Sequence, residues 1–290
     1  MRPTGSRYIL HFIVLSISLG ATPAFAGIFD NSPKMPSVVS DETISEIQTA
    51  FDDGRYVDAS KTLDQAVLSH GDDPRLAYWV AELNLVHGNF QDALTNFTAV
   101  KKDPKMHNQA LAGEGIALSE LGRHDEAVTS LQAAVAGDPG AWRAWNALGS
   151  EYDRRHDWAN AESSYARALS GSGDAAIVLN NRGYSRLSQK RPDLAIPDFV
   201  AALQKKPDLA VARSNLRLAM SMQGEYDRAI KGAREADQAQ VLNNAGFAAM
   251  LRGDYAKAKE LLTQAMKAKN GYYAVAAANL ELTQNLAKGQ

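Results

Sequence analysis

The chain has 290 residues, 45% hydrophobic and 22% charged, with a formal net charge of −2 and no cysteine. That balance is typical of a folded, water-soluble protein, and it excludes both a disordered chain and one embedded in a membrane along its whole length. Near-neutrality argues against a polyanion partner, and the missing cysteines exclude disulfides, thiolate metal sites, cysteine nucleophiles and a thioether-linked lipid anchor.

The first 26 residues read as a secretory signal peptide. Arg2 and Arg7 form a positive start, Tyr8 to Leu19 is mostly apolar, and Ala24-Phe25-Ala26 is a small-x-small cleavage sequence. Cleavage is expected after Ala26, which directs the chain to the periplasm. The apolar run of about 12 residues is short of the roughly 20 that span a bilayer. Membrane association is therefore expected only through partners or through an uncleaved signal. Residues 27–40, with Pro33 and Pro36, read as a flexible lead-in.

From residue 41 the chain repeats itself. Ala59, Ala93, Ala127, Ala161, Ala195 and Ala229 are each 34 residues apart, and Ala258 follows after 29. Five residues before the alanines stand Gly54, Gly88, Gly122, His156, Lys190, Gly224 and Gly253. Four residues after them stand Leu63, Phe97, Leu131, Tyr165, Phe199, Ala233 and Leu262. The glycine position is expected to end one helix in the left-handed conformation. Asn89, Asp157 or Asp254 beside it can cap the next helix. The alanine and the residue four on mark the buried face of that second helix. Gly115, Gly149, Gly183 and Gly246 in the first helices let the paired backbones approach closely. Pro139 and Pro207 stand where second helices must stop. The step of 29 predicts a clipped second helix near Lys231 to Gln240.

The period, with Trp145-x2-Leu148-Gly149-x2-Tyr152, Ala161-x3-Tyr165 and Ala168, resembles the tetratricopeptide repeat (TPR). The resemblance implies an all-α, right-handed superhelical solenoid of about seven helix-turn-helix repeats. Their expected extents are 41–73, 74–107, 108–141, 142–175, 176–209, 210–238 and 239–271, with a capping helix over 272–286.

Little in the sequence suggests catalysis. The six histidines are scattered without metal-ligand spacing, and His87, His124 and His156 fall near turns, where exposure is expected. No nucleophile elbow, phosphate loop or dinucleotide fingerprint occurs. The chain is expected to be a non-enzyme with no cofactor and no metal, and without a dense basic patch it is expected to bind no nucleic acid.

Binding is better represented. First helices of TPR arrays line a groove, and the register places Asn181, Asn215 and Asn244 at one repeat position there, with Asn146, Asn180 and Asn243 one residue earlier. Amides can pair with the main chain of an extended peptide, or with each other between repeats, and both uses remain open. Tyr184 and Phe247, one turn further on, are expected to add apolar pockets. Charge is uneven, with 18 acidic and 8 basic residues over 27–140 against 15 and 21 over 141–290. Such asymmetry can steer a charged partner.

Leu179-Asn180-Asn181-Arg182-Gly183-Tyr184 and Leu242-Asn243-Asn244-Ala245-Gly246-Phe247, followed by Arg252-Gly253-Asp254-Tyr255-Ala256-Lys257-Ala258, resemble the TadD-like proteins of bacterial tight-adherence (Flp) pilus assembly. That resemblance implies an envelope assembly factor whose partners are a secretin, a pilin or pilus-assembly components. Those proteins are commonly lipoproteins, and this chain lacks the lipid-bearing cysteine. The alternative expectation is a general periplasmic adaptor for cell-wall or outer-membrane biogenesis enzymes.

Overall fold

A computed structural model of the chain describes residues 38–171, 174–269 and 273–288. The expected signal peptide and residues 27–37 lie outside the described residues. The regular elements among the described residues are all α-helices. They come in pairs: α1 Asp41–Asp52 with α2 Tyr56–His70, α3 Pro74–Val86 with α4 Phe90–Val100, and α5 His107–Glu120 with α6 His124–Gly137. Next come α7 Trp142–Arg154 with α8 Trp158–Ser170, α9 Ala175–Ser188 with α10 Pro192–Lys205, and α11 Ala210–Gln223 with α12 Tyr226–Ile230. The last pair is α13 Glu235–Leu251 with α14 Tyr255–Ala268, and α15 Ala274–Lys288 follows it. Seven helix-turn-helix pairs and a terminal helix are thus the architecture that the 34-residue period predicts. Two compact units divide within α4, the first ending at Asn96 and the second beginning at Phe97.

The first unit buries Ile47, Leu63, Ala66, Leu76 and Leu83, with Val39 among them. Phe51 packs against Tyr56 and Trp79 at ring-centroid distances of 5.1 and 5.2 Å. Val39 is 3% exposed. Its N–H donates to Asp73 Oδ2 at 3.1 Å and its carbonyl accepts from Arg75 Nη2 at 2.6 Å. Arg75 also pairs with Asp73 and Asp41. Its guanidinium holds the Asp73 carboxyl below the ordinary carboxylate range. The expected lead-in therefore differs at its end: Val39 is core, because a buried cap residue of α3 reaches back across the unit to hold it.

In the second unit the small first-helix residues explain how the pairs close. A Cβ on Gly149 would lie 2.6 Å from Tyr165 Cε1, one on Gly183 2.8 Å from Phe199 Cε1, and one on Gly246 2.7 Å from Leu262 Cγ. Each glycine receives the large residue that stands four positions after the register alanine. Most of the polar atoms that come inside are partnered, the buried Tyr226 hydroxyl being an exception. Tyr165 donates its hydroxyl to Asp153 Oδ2 at 2.8 Å and Ser185 donates to Asp153 Oδ1 at 2.6 Å, tying α7, α8 and α9 together. Burial pushes the Asp153 carboxyl and the Tyr165 phenol above their ordinary values. Buried Glu114 accepts from Lys101 Nζ at 2.6 Å and from Ser130 at 2.8 Å.

The turns bear out the register even where the residue type departs from it. Gly54, Gly88, Gly122, Gly224 and Gly253 all have positive φ, and so do His156 at 57° and Lys190 at 60°. Asp157 and Asp254 accept from backbone N–H groups and cap α8 and α14. The Asn89 amide instead donates to Asn84. A side chain with a Cβ costs roughly 1–2 kcal/mol in the left-handed region, part of which glycine returns as greater chain entropy when unfolded. Lys190→Gly is therefore expected to raise stability by about 0.5–1 kcal/mol. The check is the urea midpoint of far-ultraviolet circular dichroism, and a lower midpoint would contradict the expectation. His156→Gly should gain less, because it removes the ring contact with Trp158, whose centroid is 5.0 Å away.

The sixth pair is clipped as the 29-residue step requires, and α12 has five residues. In α10, Pro192 occupies the first turn and Pro197 lies inside the helix, which nevertheless runs on to Lys205. No helix of the described residues is long and apolar enough to cross a membrane.

Candidate functional site

The asparagines of the first helices are brought together as a chain of amide contacts. Asn181 Nδ2 donates to Asn146 Oδ1 at 3.1 Å, Asn180 Nδ2 to Asn181 Oδ1 at 3.2 Å, and Asn215 Nδ2 to Asn180 Oδ1 at 3.0 Å. This series joins α7, α9 and α11. A second series runs from Asn279 Nδ2 to Asn243 Oδ1 at 3.0 Å and from Asn243 Nδ2 to Asn244 Oδ1 at 3.3 Å, joining α15 to α13. Each amide offers donor and acceptor together, so one residue type can pass the pattern from repeat to repeat.

Within that chain the residues differ in exposure. Asn180 and Asn243 are buried, at 4% and 5% exposed, and serve as struts between repeats. Asn146, Asn181, Asn215 and Asn244 are half-buried and keep part of their surface open. Tyr184 and Phe247 are also half-buried. Tyr184 packs against Leu187, Phe199 and Ala219, and Phe247 against the cluster of Leu242, Ala245 and Leu261. Their rings fill inter-repeat space more than they wall an open pocket. Asn279 was invisible to the repeat register, since it lies in the terminal helix beyond the last alanine, 36 residues after Asn243.

No hydrogen bond among the described residues joins the two series, and the gap falls at the clipped sixth pair. There Arg217 occupies the register of the close-approach glycine, 34 residues after Gly183 and 29 before Gly246. The register position whose side chain meets the glycine in other pairs is Ala233 here, and it lies beyond the end of α12 at Ile230. Arg217 Nη1 donates instead to the carbonyls of Ala229 and Ile230 at 2.8 and 3.4 Å, closing the open end of the short helix. Beside it lies a cavity of about 330 Å³, lined by α11, the turn after α12, and α13 as far as Asn244.

His124 and His107 make polar contacts. His124 Nδ1 lies 3.1 Å from Oε2 of the fully buried Glu151, which also accepts from the Ser119 hydroxyl. The His124 side chain stays 38% exposed beside that carboxylate. His107 Nδ1 lies 2.8 Å from the Lys101 carbonyl. Among the described residues, no group of three or more His, Asp or Glu side chains is placed to hold a metal ion.

Comparison with known proteins agrees with the repeat register. The family model described as tetratricopeptide repeat matches residues 45–107, 112–169 and 146–210. Protein FlbA of Caulobacter vibrioides is 32% identical over 115 residues, which are 38% of this chain and 19% of that protein. The chain thus spans about a fifth of the length of that curated relative. Among solved structures, a chain of the Cut9–Hcn1 hetero-tetramer of the APC/C superposes with a TM-score of 0.63 at 16% identity. The match covers 84% of this chain and 49% of that one. A thermophilic TPR protein of Thermus thermophilus gives 0.55 at 21% identity over 62% of this chain and 97% of its own. These likenesses show the fold. With more than half of its length matched by the repeat model, the chain belongs to the tetratricopeptide-repeat family, whose members serve as protein-interaction scaffolds.

Proposed function

We propose that this scaffold works in the bacterial periplasm as a non-catalytic assembly factor for Flp, tight-adherence, pilus biogenesis or secretion. A secretin, a pilin or a pilus-assembly component is its partner. The observation that carries the reading is the run of half-buried amides Asn146, Asn181, Asn215 and Asn244 on successive first helices. Each keeps hydrogen-bonding capacity in a surface facing solvent, which suits the main chain of an extended segment without demanding a sequence. The motifs Leu179 to Tyr184 and Leu242 to Phe247 support the pilus class. The signal-like residues 1–26 support export after cleavage behind Ala26.

The test is crosslinking in the native envelope, followed by affinity purification and mass spectrometry. Intact protein is compared with a variant carrying Asn181→Ala, Asn215→Ala and Asn244→Ala. The expected result is recovery of a secretin or pilus-assembly protein by the intact chain, with about tenfold less by the variant. Helical circular dichroism at room temperature should keep its amplitude, with a lower urea midpoint, because buried Asn180 and Asn243 lose amide partners. Recovery of cell-wall or outer-membrane biogenesis enzymes would replace the pilus reading by the general adaptor. Recovery indifferent to the three amides would remove the amide surface from the binding site.

A further inference from the structure

The clipped sixth pair leaves open a stretch of chain that the regular pairs keep closed. With five residues, α12 is too short to hold itself, because the first turn of a helix fixes many dihedral angles for few hydrogen bonds. After it Lys231 has φ −53° and ψ 132°, and Arg234 has φ −66° and ψ 150°, close to the extended form in which endoproteases take their substrates. Gly232 between them has φ 68°, and a Cβ there would meet nothing within 4 Å. Lys231, Gly232 and Arg234 are all exposed. A backbone hydrogen bond from the Ala233 N–H to the Ile230 carbonyl, at 3.1 Å, closes the turn.

Basic residues at comparable turns are better held. Arg55 and Arg123 donate their backbone N–H groups back into the preceding helix at 2.8 and 2.9 Å, and the next helix begins one residue later. In the turn after α4, the Asp103 carboxylate accepts the N–H groups of Lys105 and Met106. Lys206 is followed by Pro207, which blocks cleavage by trypsin-like enzymes. Arg234 lies in the open stretch, but its guanidinium pairs with Asp237 at 2.7 Å and the bond after it enters α13.

We propose that the turn after α12 is a processing site, cut between Lys231 and Gly232 by a trypsin-like serine endoprotease. Such an enzyme takes a lysine or arginine into an acidic pocket, and the glycine that follows adds no side chain to obstruct the attacking serine. The bond from the Lys231 carbonyl carbon to the Gly232 nitrogen breaks at the cost of one water. The water oxygen completes the Lys231 carboxylate, and its two protons go to the Gly232 amine. The cut separates the seventh pair and α15 from the rest of the chain. Tyr226, packed with Leu242, Ala245 and Ala249, and Arg252, which donates to the Met222 carbonyl at 2.7 Å, still join the pieces. Their union then becomes sensitive to dilution, as it is not in the intact chain. The proposal goes beyond the scaffold reading and does not depend on which partner is bound.

The full chain is treated with trypsin in about 0 to 1 M urea, and the new termini are read by mass spectrometry. Termini at Lys231 and Gly232 are expected at least about tenfold faster than cuts after Arg167 in α8 or Lys259 in α14. Their rate should change little with urea, because local opening exposes little surface, whereas the cuts inside helices should accelerate. The double variant Lys231→Gln, Arg234→Gln should lose these termini and keep the urea midpoint, since both side chains are exposed. Chain with a C-terminal tag, recovered from its native cells under denaturing conditions, should include a fragment beginning at Gly232. An aryl sulfonyl fluoride, which inactivates serine proteases, should prevent that fragment, and the double variant should lack it. Cleavage after Lys231 no faster than at Arg167 and Lys259, or equally dependent on urea, overturns the proposal. So does absence of the Gly232 fragment from native cells, or its persistence in the double variant. Partner capture by the double variant tests the scaffold reading separately.

Discussion

Gly149→Ala is expected to destabilise the chain by about 1–3 kcal/mol, although it changes one hydrogen into a methyl group. In an exposed helix the same change would help by up to about 1 kcal/mol. Here the new carbon would sit 2.6 Å from the ring of Tyr165, a residue 1% exposed whose hydroxyl is fixed by Asp153. Neither the ring nor the backbone of α8 can retreat without breaking the contacts that join α7, α8 and α9. Gly183→Ala should behave likewise against Phe199. Hydrogen exchange is the suitable measurement, because repeats can open locally and a single midpoint would average over them. Faster exchange confined to α7, α8 and α9 is the expected result for Gly149→Ala. Protection equal to that of the unaltered chain would mean that the pair has slack that its geometry does not show.

The second large effect is expected on removing residues 272–290. That deletion takes away α15, whose Ala276 is buried in the same cluster as Leu242, Leu261 and Ala265, and whose Asn279 holds the strut Asn243. The apolar edge of the last pair would face water, and Asn243 would lose its donor. Sedimentation and light scattering are expected to show aggregation at concentrations where the full chain is monodisperse. A truncated chain that stays soluble and equally stable would show that α15 does not close the end. The helix is not uniformly polar outside: Val275, Leu282 and Leu286 are 54%, 45% and 42% exposed. Its covering function thus rests on its inner face.

How much of this was legible before the structure depends on what each feature rests on. The helix pairs were legible because the alanine, turn and ring positions recur at fixed spacing. His156 and Lys190 show that the spacing carried more information than the residue type, since both adopt the glycine conformation. The short α12 was legible from the 29-residue step. What was missed involves contacts between registers. Val39 looked like linker because its partner Asp73 lies 34 residues away. The pairing of the amides, one of the two uses that the sequence left open, depends on how one repeat is laid on the next, which no single repeat encodes. Arg217 stands in a register otherwise held by small residues, and an arginine there is informative only once the shortened α12 is in view.

That pairing of a large residue with a short helix has an evolutionary consequence. Lengthening the sixth repeat by five residues, from a step of 29 to 34, would extend α12 and give the carbonyls of Ala229 and Ile230, which Arg217 now closes, partners within the helix. Placing glycine at 217 in the present chain would leave the carbonyl of Ala229 without its partner, while that of Ile230 keeps the Ala233 N–H. Helix length and the residue at 217 are therefore energetically coupled, and the cost of changing one depends on the other. The length of the sixth repeat and the side chain at 217 are expected to change together, and the short helix constrains the substitutions that α11 accepts at this position.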